Sequence, residues 1–147
     1  MKNLQLCAGG NALPNFENHD MDVDITKPFP WPDNTWDFVF CEHGAEHQNS
    51  HQFLRFCDEC FRVLDRGGKI RLCMPVIDRL LPAHARDIIL GHGHEATYST
   101  DLIIRILEMV GFVQVKETGR AVTDHHWRVI TEAKDDLETA RIEGIKP

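Results

Sequence analysis

The sequence predicts an α/β domain built on a mostly parallel sheet with an antiparallel edge strand. Two observations carry this expectation. Short apolar, β-forming runs at residues 4–7, 36–41 and 69–75 are interleaved with amphipathic helical patterns at 51–64 and 99–110. Ionisable residues also crowd just past the end of the 36–41 run, where open α/β sheets place their ligand crevice.

The elements follow in order. Leu4 to Cys7 form the first strand, which stops at the tight turn Ala8-Gly9-Gly10-Asn11. Too few residues separate it from a second strand ending in HDMD (19–22) for a helical crossover of about a dozen residues, so the helices are trimmed on the N-terminal half. Val23-Asp24-Ile25 reads as one more very short strand. Prolines 28, 30 and 32 then force a surface turn. Trp36 to Cys41 has the apolar character of a strand buried on both faces.

Phe53, Leu54, Cys57, Cys60, Phe61 and Leu64 share a helix face, with Asn49 or Ser50 as N-cap and Gly67-Gly68 as the stop. Residues 69–75 form a strand ended by Pro75, and a helix is expected from Pro82 to residue 90. Ser99 or Thr100 caps a helix through Val110, with Gly111 just past its end. Residues 112–117 and 127–133 alternate and are expected to pair antiparallel. The charged tail after Lys134 is expected to fray or to form a loose helix. This gives one domain over residues 1–134 and a tail over 135–147.

Apolar residues are 42% and charged residues 27% of the chain, in the range of globular proteins. No apolar run is long enough for a membrane span, and no secretory leader is expected, so a cytoplasmic protein without a membrane partner is anticipated. A net charge of −7 makes nucleic acid a poor partner. The five cysteines are expected to be reduced. Exposed sheet faces on a trimmed domain would favour a homodimer.

LQLCAGGN, HDMD, VDITKPFPWPDNTWDFVFCEHGAEH and RVLDRGGKIRL stand in an order and spacing that resembles the class I S-adenosylmethionine-dependent methyltransferases, in particular the compact type 11 group. The resemblance covers about residues 3 to 133 and implies a Rossmann-like fold. By that resemblance, Cys7, Ala8, Gly9, Gly10 and Asn11 match the loop around the methionine portion of S-adenosylmethionine. Asp20, followed by Met21, matches the ribose-binding acid, and Asp24 and Ile25 lie beside the adenine. Cys41, Glu42 and His43 lie beneath the reactive methyl. Two positions depart from the pattern: Cys7 replaces the first glycine, and Arg66 replaces a proline before Gly67-Gly68.

The expected activity is methyl transfer to an oxygen or nitrogen of a small molecule. His43 is the candidate base or positioning group, helped by Glu42 and His47, since imidazole suits proton transfer near neutrality. A second reading is a non-catalytic cofactor-binding or partner domain. A third takes His43-Gly44-Ala45-Glu46-His47 as the H-x-x-E-H motif of a zinc hydrolase, extended by His51. Gly44 is a poor residue in a ligand-bearing helix, and no metal is assigned. His92 and His94 read as a second metal pair, a substrate-facing loop or a solvated loop, and Cys57 and Cys60 are core thiols.

Overall fold

The computed structural model describes residues 1–79, 93–119 and 139–147. Its elements are β1 (Asn3–Leu6), β2 (Glu17–Asn18), β3 (Trp36–Glu42), α1 (Ser50–Val63), β4 (Leu64–Pro75), α2 (Thr100–Val110), β5 (Val113–Glu117) and β6 (Thr139–Ile145), with single 3-10 turns at Ala45–His47 and Ile77–Arg79. They form a six-stranded sheet in the order β2-β1-β3-β4-β6-β5. The first four strands run parallel, and β6 runs antiparallel between β4 and β5. The mostly parallel sheet with an antiparallel end is therefore present.

β3 is buried along nearly its whole length, and its side chains divide between two cores. Val39 and Cys41 join the main core with Phe53, Phe56, Cys57, Cys60 and Val63 of α1 and Ile103 and Leu107 of α2. Phe38 and Phe40 face the other way, onto Leu13 and Cys73, with Phe16 packed alongside. No helix lies between β1 and β3, so loop residues Leu13 and Phe16 cover this face in its place. The loop is held by polar residues of β1 and β2. The Leu13 backbone N–H donates to Gln5 Oε1 at 2.9 Å and Asn18 Oδ1 at 3.0 Å, while Asn18 Nδ2 donates to the carbonyls of Leu13 and Phe16.

α1 begins at a capping box in which Asn49 and Gln52 each bond the other's backbone N–H at 3.0 Å. Its far end clamps the proline turn: Glu59 accepts from the Phe29 N–H at 2.6 Å, and Arg62 donates to the Phe29 and Trp31 carbonyls. α2 matches the sequence expectation, with Ser99 as N-cap accepting from the Leu102 N–H and Gly111 as C-cap. No helix among the described residues is long and apolar enough to cross a membrane.

Several expectations need correction. Val23-Asp24-Ile25 is not a strand, because Asp24 folds the chain into a turn through the Thr26 N–H and hydroxyl. α1 ends at Val63, not at the glycines; β4 starts directly at Leu64, and Gly67-Gly68 lie inside it at an irregularity in its pairing with β3. There Gly67 has φ 77°, and a Cβ on Gly68 would meet the Asp65 carbonyl at 2.7 Å. Residues 139–145 are not a frayed tail or a helix but strand β6, almost wholly buried. The expected helix from Pro82 and the strand at 127–133 lie outside the described residues; the antiparallel partner of β5 is β6.

β6 is held by an ion pair inside the sheet. Arg71 is fully buried and sits opposite Glu143, with Nη1 2.7 Å from Glu143 Oε1 and further bonds to Thr118 Oγ1 and the Gly119 carbonyl. Removing one partner of such a pair leaves an uncompensated buried charge. Glu143→Ala should therefore destabilise the fold by about 3 kcal/mol or more, whereas an apolar pair, Arg71→Met with Glu143→Leu, should cost far less. Urea unfolding of the three proteins measures both.

Candidate cofactor crevice and active site

β1 and β3 are parallel neighbours that end level with each other, Leu6 opposite Cys41. From β1 the chain leads outward to β2; from β3 it leads the opposite way to β4. This reversal is where an open α/β sheet leaves a crevice at its carboxyl edge. Cys7, Gly9 and His43 turn the chain away from the strands with φ of 55°, 52° and 52°. Between them opens a crevice of about 560 Å³, lined by Cys7, Gly9, Asp20, Met21, Val23, Asp24, Ile25, His43, Gly44 and His47. That volume is within the ordinary range for a small-molecule site.

Eight of the sequence-selected residues line this space: Cys7, Gly9, Asp20, Met21, Asp24, Ile25, His43 and His47. Ala8, Gly10, Asn11, Cys41 and Glu42 do not. Ala8 and Cys41 are buried beneath it, Asn11 closes the glycine turn by donating its N–H to the Ala8 carbonyl at 2.8 Å, and Glu42 is buried at the end of β3. Val23 and Gly44 line the crevice without having been singled out for it.

Cys7, in the place of a glycine, does not fill the crevice. A Cβ on Gly44 would fall 2.3 Å from Cys7 Sγ and 2.5 Å from its Cβ, so the Cys7 side chain occupies the space that Gly44 leaves empty. A Cβ on Gly9 or Gly10 would meet nothing within 4 Å, so their backbone borders open space. Cys41 lies below; a hydrogen bond with Cys7, then burial, push its thiol well above the usual range.

The acids of the second loop differ in availability. Asp24 is tied to Thr26 and to Lys27 at 3.0 Å, and these contacts lower its carboxyl to about 2. The Asp20 backbone N–H donates to Asp22 Oδ1, while the Asp20 carboxylate faces the crevice with no hydrogen bond among the described residues. His19 braces this turn, with Nδ1 2.5 Å from Asp22 and Nε2 3.0 Å from Glu17. Burial lowers its pKa, but hydrogen bonds to the two carboxylates outweigh that and leave it raised above 6.5.

His43 is nearly enclosed. Its Nδ1 lies 3.3 Å from Glu46 Oε1, and its Nε2 lies 3.0 Å from the Thr139 hydroxyl on β6. The ring thus has a carboxylate beside one nitrogen and a hydroxyl beside the other. Glu46 lies at ion-pair distance from the His43 ring. The H-x-x-E-H residues do not form a helical ligand pair: His43 precedes a single 3-10 turn, and His51 lies exposed at the start of α1. His47 Nδ1 instead donates to the Gly93 carbonyl at 3.3 Å, and its ring stands 5.0 Å from that of His94. His92 lies outside the described residues.

This geometry agrees with what the chain is similar to. Residues 6–72 match the family described as "Methyltransferase domain". A chain in the complex between the Haloferax volcanii Trm112 methyltransferase activator and a methyltransferase superposes with a TM-score of 0.71 at 12% identity, over 99% of this chain and 82% of that one. An S-adenosylmethionine-dependent methyltransferase from Thermotoga maritima gives 0.69 at 13% identity, with 99% and 82% covered. The S-adenosylmethionine-dependent methyltransferase SibL gives 0.67 at 15% identity; this chain is covered to 99% and spans 50% of SibL. No curated protein matches the chain. Identities this low establish the shared fold, which is that of the S-adenosylmethionine-dependent methyltransferases of class I. The family match covers somewhat under half of the chain and lies within that class, whose cofactor is S-adenosylmethionine.

Two predictions follow from the packing. Gly44→Ala should destabilise by about 1–3 kcal/mol through overpacking against Cys7, and adding Cys7→Gly should recover most of that loss. Thermal unfolding of the single and double variants tests it. For His19, a folded pKa raised above the unfolded value means that its bracing is complete below about pH 6.5 and is lost as pH rises through the folded pKa. A proton NMR titration should place the His19 midpoint above 6.5, and Asp22→Asn should lower it.

Proposed function

We propose that this chain transfers the methyl group of S-adenosylmethionine to an oxygen or nitrogen of a small molecule, with His43 taking the acceptor's proton. The observation that carries the reading is the Glu46–His43–Thr139 chain of contacts at the edge of the crevice. A buried carboxylate beside Nδ1 favours the ring proton there, which would leave Nε2, now beside a hydroxyl, as the nitrogen that accepts. An acceptor hydroxyl or amine would approach His43 from the crevice that its side chain lines.

The crevice suits the cofactor. Gly9 and Gly10 offer backbone bordering open space to the methionine portion, the Asp20 carboxylate can accept from the ribose diol, and Met21 and Ile25 provide apolar contact for the adenine. When bound, the cofactor supplies an already activated methyl group on a sulfonium. The chain's own work is then to align the acceptor, exclude water and hold the leaving proton.

Calorimetry with S-adenosylmethionine and its demethylated product should show binding to the isolated chain, and Asp20→Ala should weaken it by about tenfold or more through loss of charge-assisted bonds. His43→Asn should lower turnover about 100-fold or more while leaving cofactor affinity near that of the parent. Binding without turnover across an acceptor panel would favour a second reading, catalysis only with a protein partner, which the activator complex among the structural neighbours suggests. The same panel run with candidate partners separates the two.

A further inference from the structure

We propose that Glu46, His47 and His94 form a binding site for a divalent first-row transition ion, such as Zn²⁺, at the edge of the crevice. Each offers one ligand atom, and the three atoms lie within 4.8 Å of one another. Glu46 and His47 belong to the 3-10 turn after β3, whereas His94 belongs to the irregular segment before α2, so residues far apart in sequence converge. Donors on one tetrahedral zinc ion stand roughly 3.4 Å apart, given bonds of about 2.0–2.2 Å, so modest side-chain rotation would close the set.

The second observation is the state of the Glu46 carboxylate. The residue is 2% exposed, and its Oε2 is buried with no hydrogen-bond partner among the described residues. A buried carboxylate oxygen without a partner is costly, and a cation beside it would remove that cost. Its other oxygen faces His43 Nδ1, which would orient the carboxylate as an outer partner does for a metal ligand.

His47 is arranged in a compatible way. Donating its Nδ1 proton to the Gly93 carbonyl leaves Nε2 with a free lone pair, the tautomer a metal-binding imidazole requires. Two imidazoles and one carboxylate suit zinc and its first-row neighbours better than magnesium or calcium, which prefer all-oxygen sets. Three protein donors leave at least one coordination position open to water or to an acceptor oxygen. Because His47 also lines the crevice, such an ion would sit where it could meet the methyl acceptor.

The site does not rest on the methyl-transfer reading, and its test is made without cofactor. The full chain, stripped with a chelator, is titrated with Zn²⁺ by calorimetry and with Co²⁺ by visible absorption. One ion per chain should bind. His94→Ala and Glu46→Gln, each confirmed as folded by circular dichroism, should weaken binding about tenfold or more, while His51→Ala should match the parent. The proposal is overturned by binding well below one equivalent, or by His94→Ala affinity equal to the parent's. A thiolate-to-cobalt charge-transfer band would equally overturn it, since the ion would then sit on cysteines.

Discussion

The structure depends on how two adjacent parallel strands are ended at the same level. β1 and β3 both stop where the crevice begins, and both are turned away by non-glycine residues, Cys7 and His43, in left-handed backbone. Each such residue costs about 1–2 kcal/mol relative to ordinary backbone, so the surrounding packing must impose it. The fully buried Leu4, Leu6, Val39 and Cys41 supply that packing from below. The Cys7 side chain then enters the space a Cβ on Gly44 would need, and the two turns interlock. Because Cys7 packs sideways, its substitution for glycine is accommodated within the wall and the cavity stays open.

This interlock explains which parts of the site were legible in the sequence. Cys7, Gly9, Asp20, Met21, Asp24, Ile25, His43 and His47 all come from turns directly following strands, and chain order alone places such turns at one edge of a parallel sheet. From the sequence alone Gly44 looks like a weakness in a metal-binding helix, because its partner, Cys7, is remote in sequence and adjacent only through the β1–β3 register. Glu42 and Glu46 differ in a similar way. Both are buried acids near the end of β3, and only the 3-10 turn at Ala45–His47 brings Glu46 to His43.

The other end of the sheet was less legible, for a different reason. α1 and α2 declared themselves through caps and apolar periodicity, but residues 139–145 carry Arg141 and Glu143 in what the structure makes an interior strand. A charged, short segment near a terminus resembles a solvated tail until its countercharge is known, and here Arg71 lies opposite Glu143 on β4. The consequence reaches the site, because β6 begins with Thr139, whose hydroxyl meets His43. A strand that the sequence pattern concealed therefore sets the polar environment of the principal candidate base.

The same packing bears on which nucleophiles a reactive methyl donor would meet. A thiolate attacks an activated methyl group far more readily than a thiol does. Cys41 lies directly beneath the crevice, where its hydrogen bond with Cys7 and its complete burial both favour the protonated form. Cys57 and Cys60, deeper under α1, are likewise pushed upward by burial. The thiols below the crevice are thus kept neutral, while its ionised carboxylates lie in the outer loop, where Asp24 is held charged by Thr26 and Lys27. The arrangement places the His43 imidazole, with the buried Glu46 carboxylate beside it, at the crevice, and it keeps the buried thiols of Cys41, Cys57 and Cys60 in the form least reactive toward an activated methyl group.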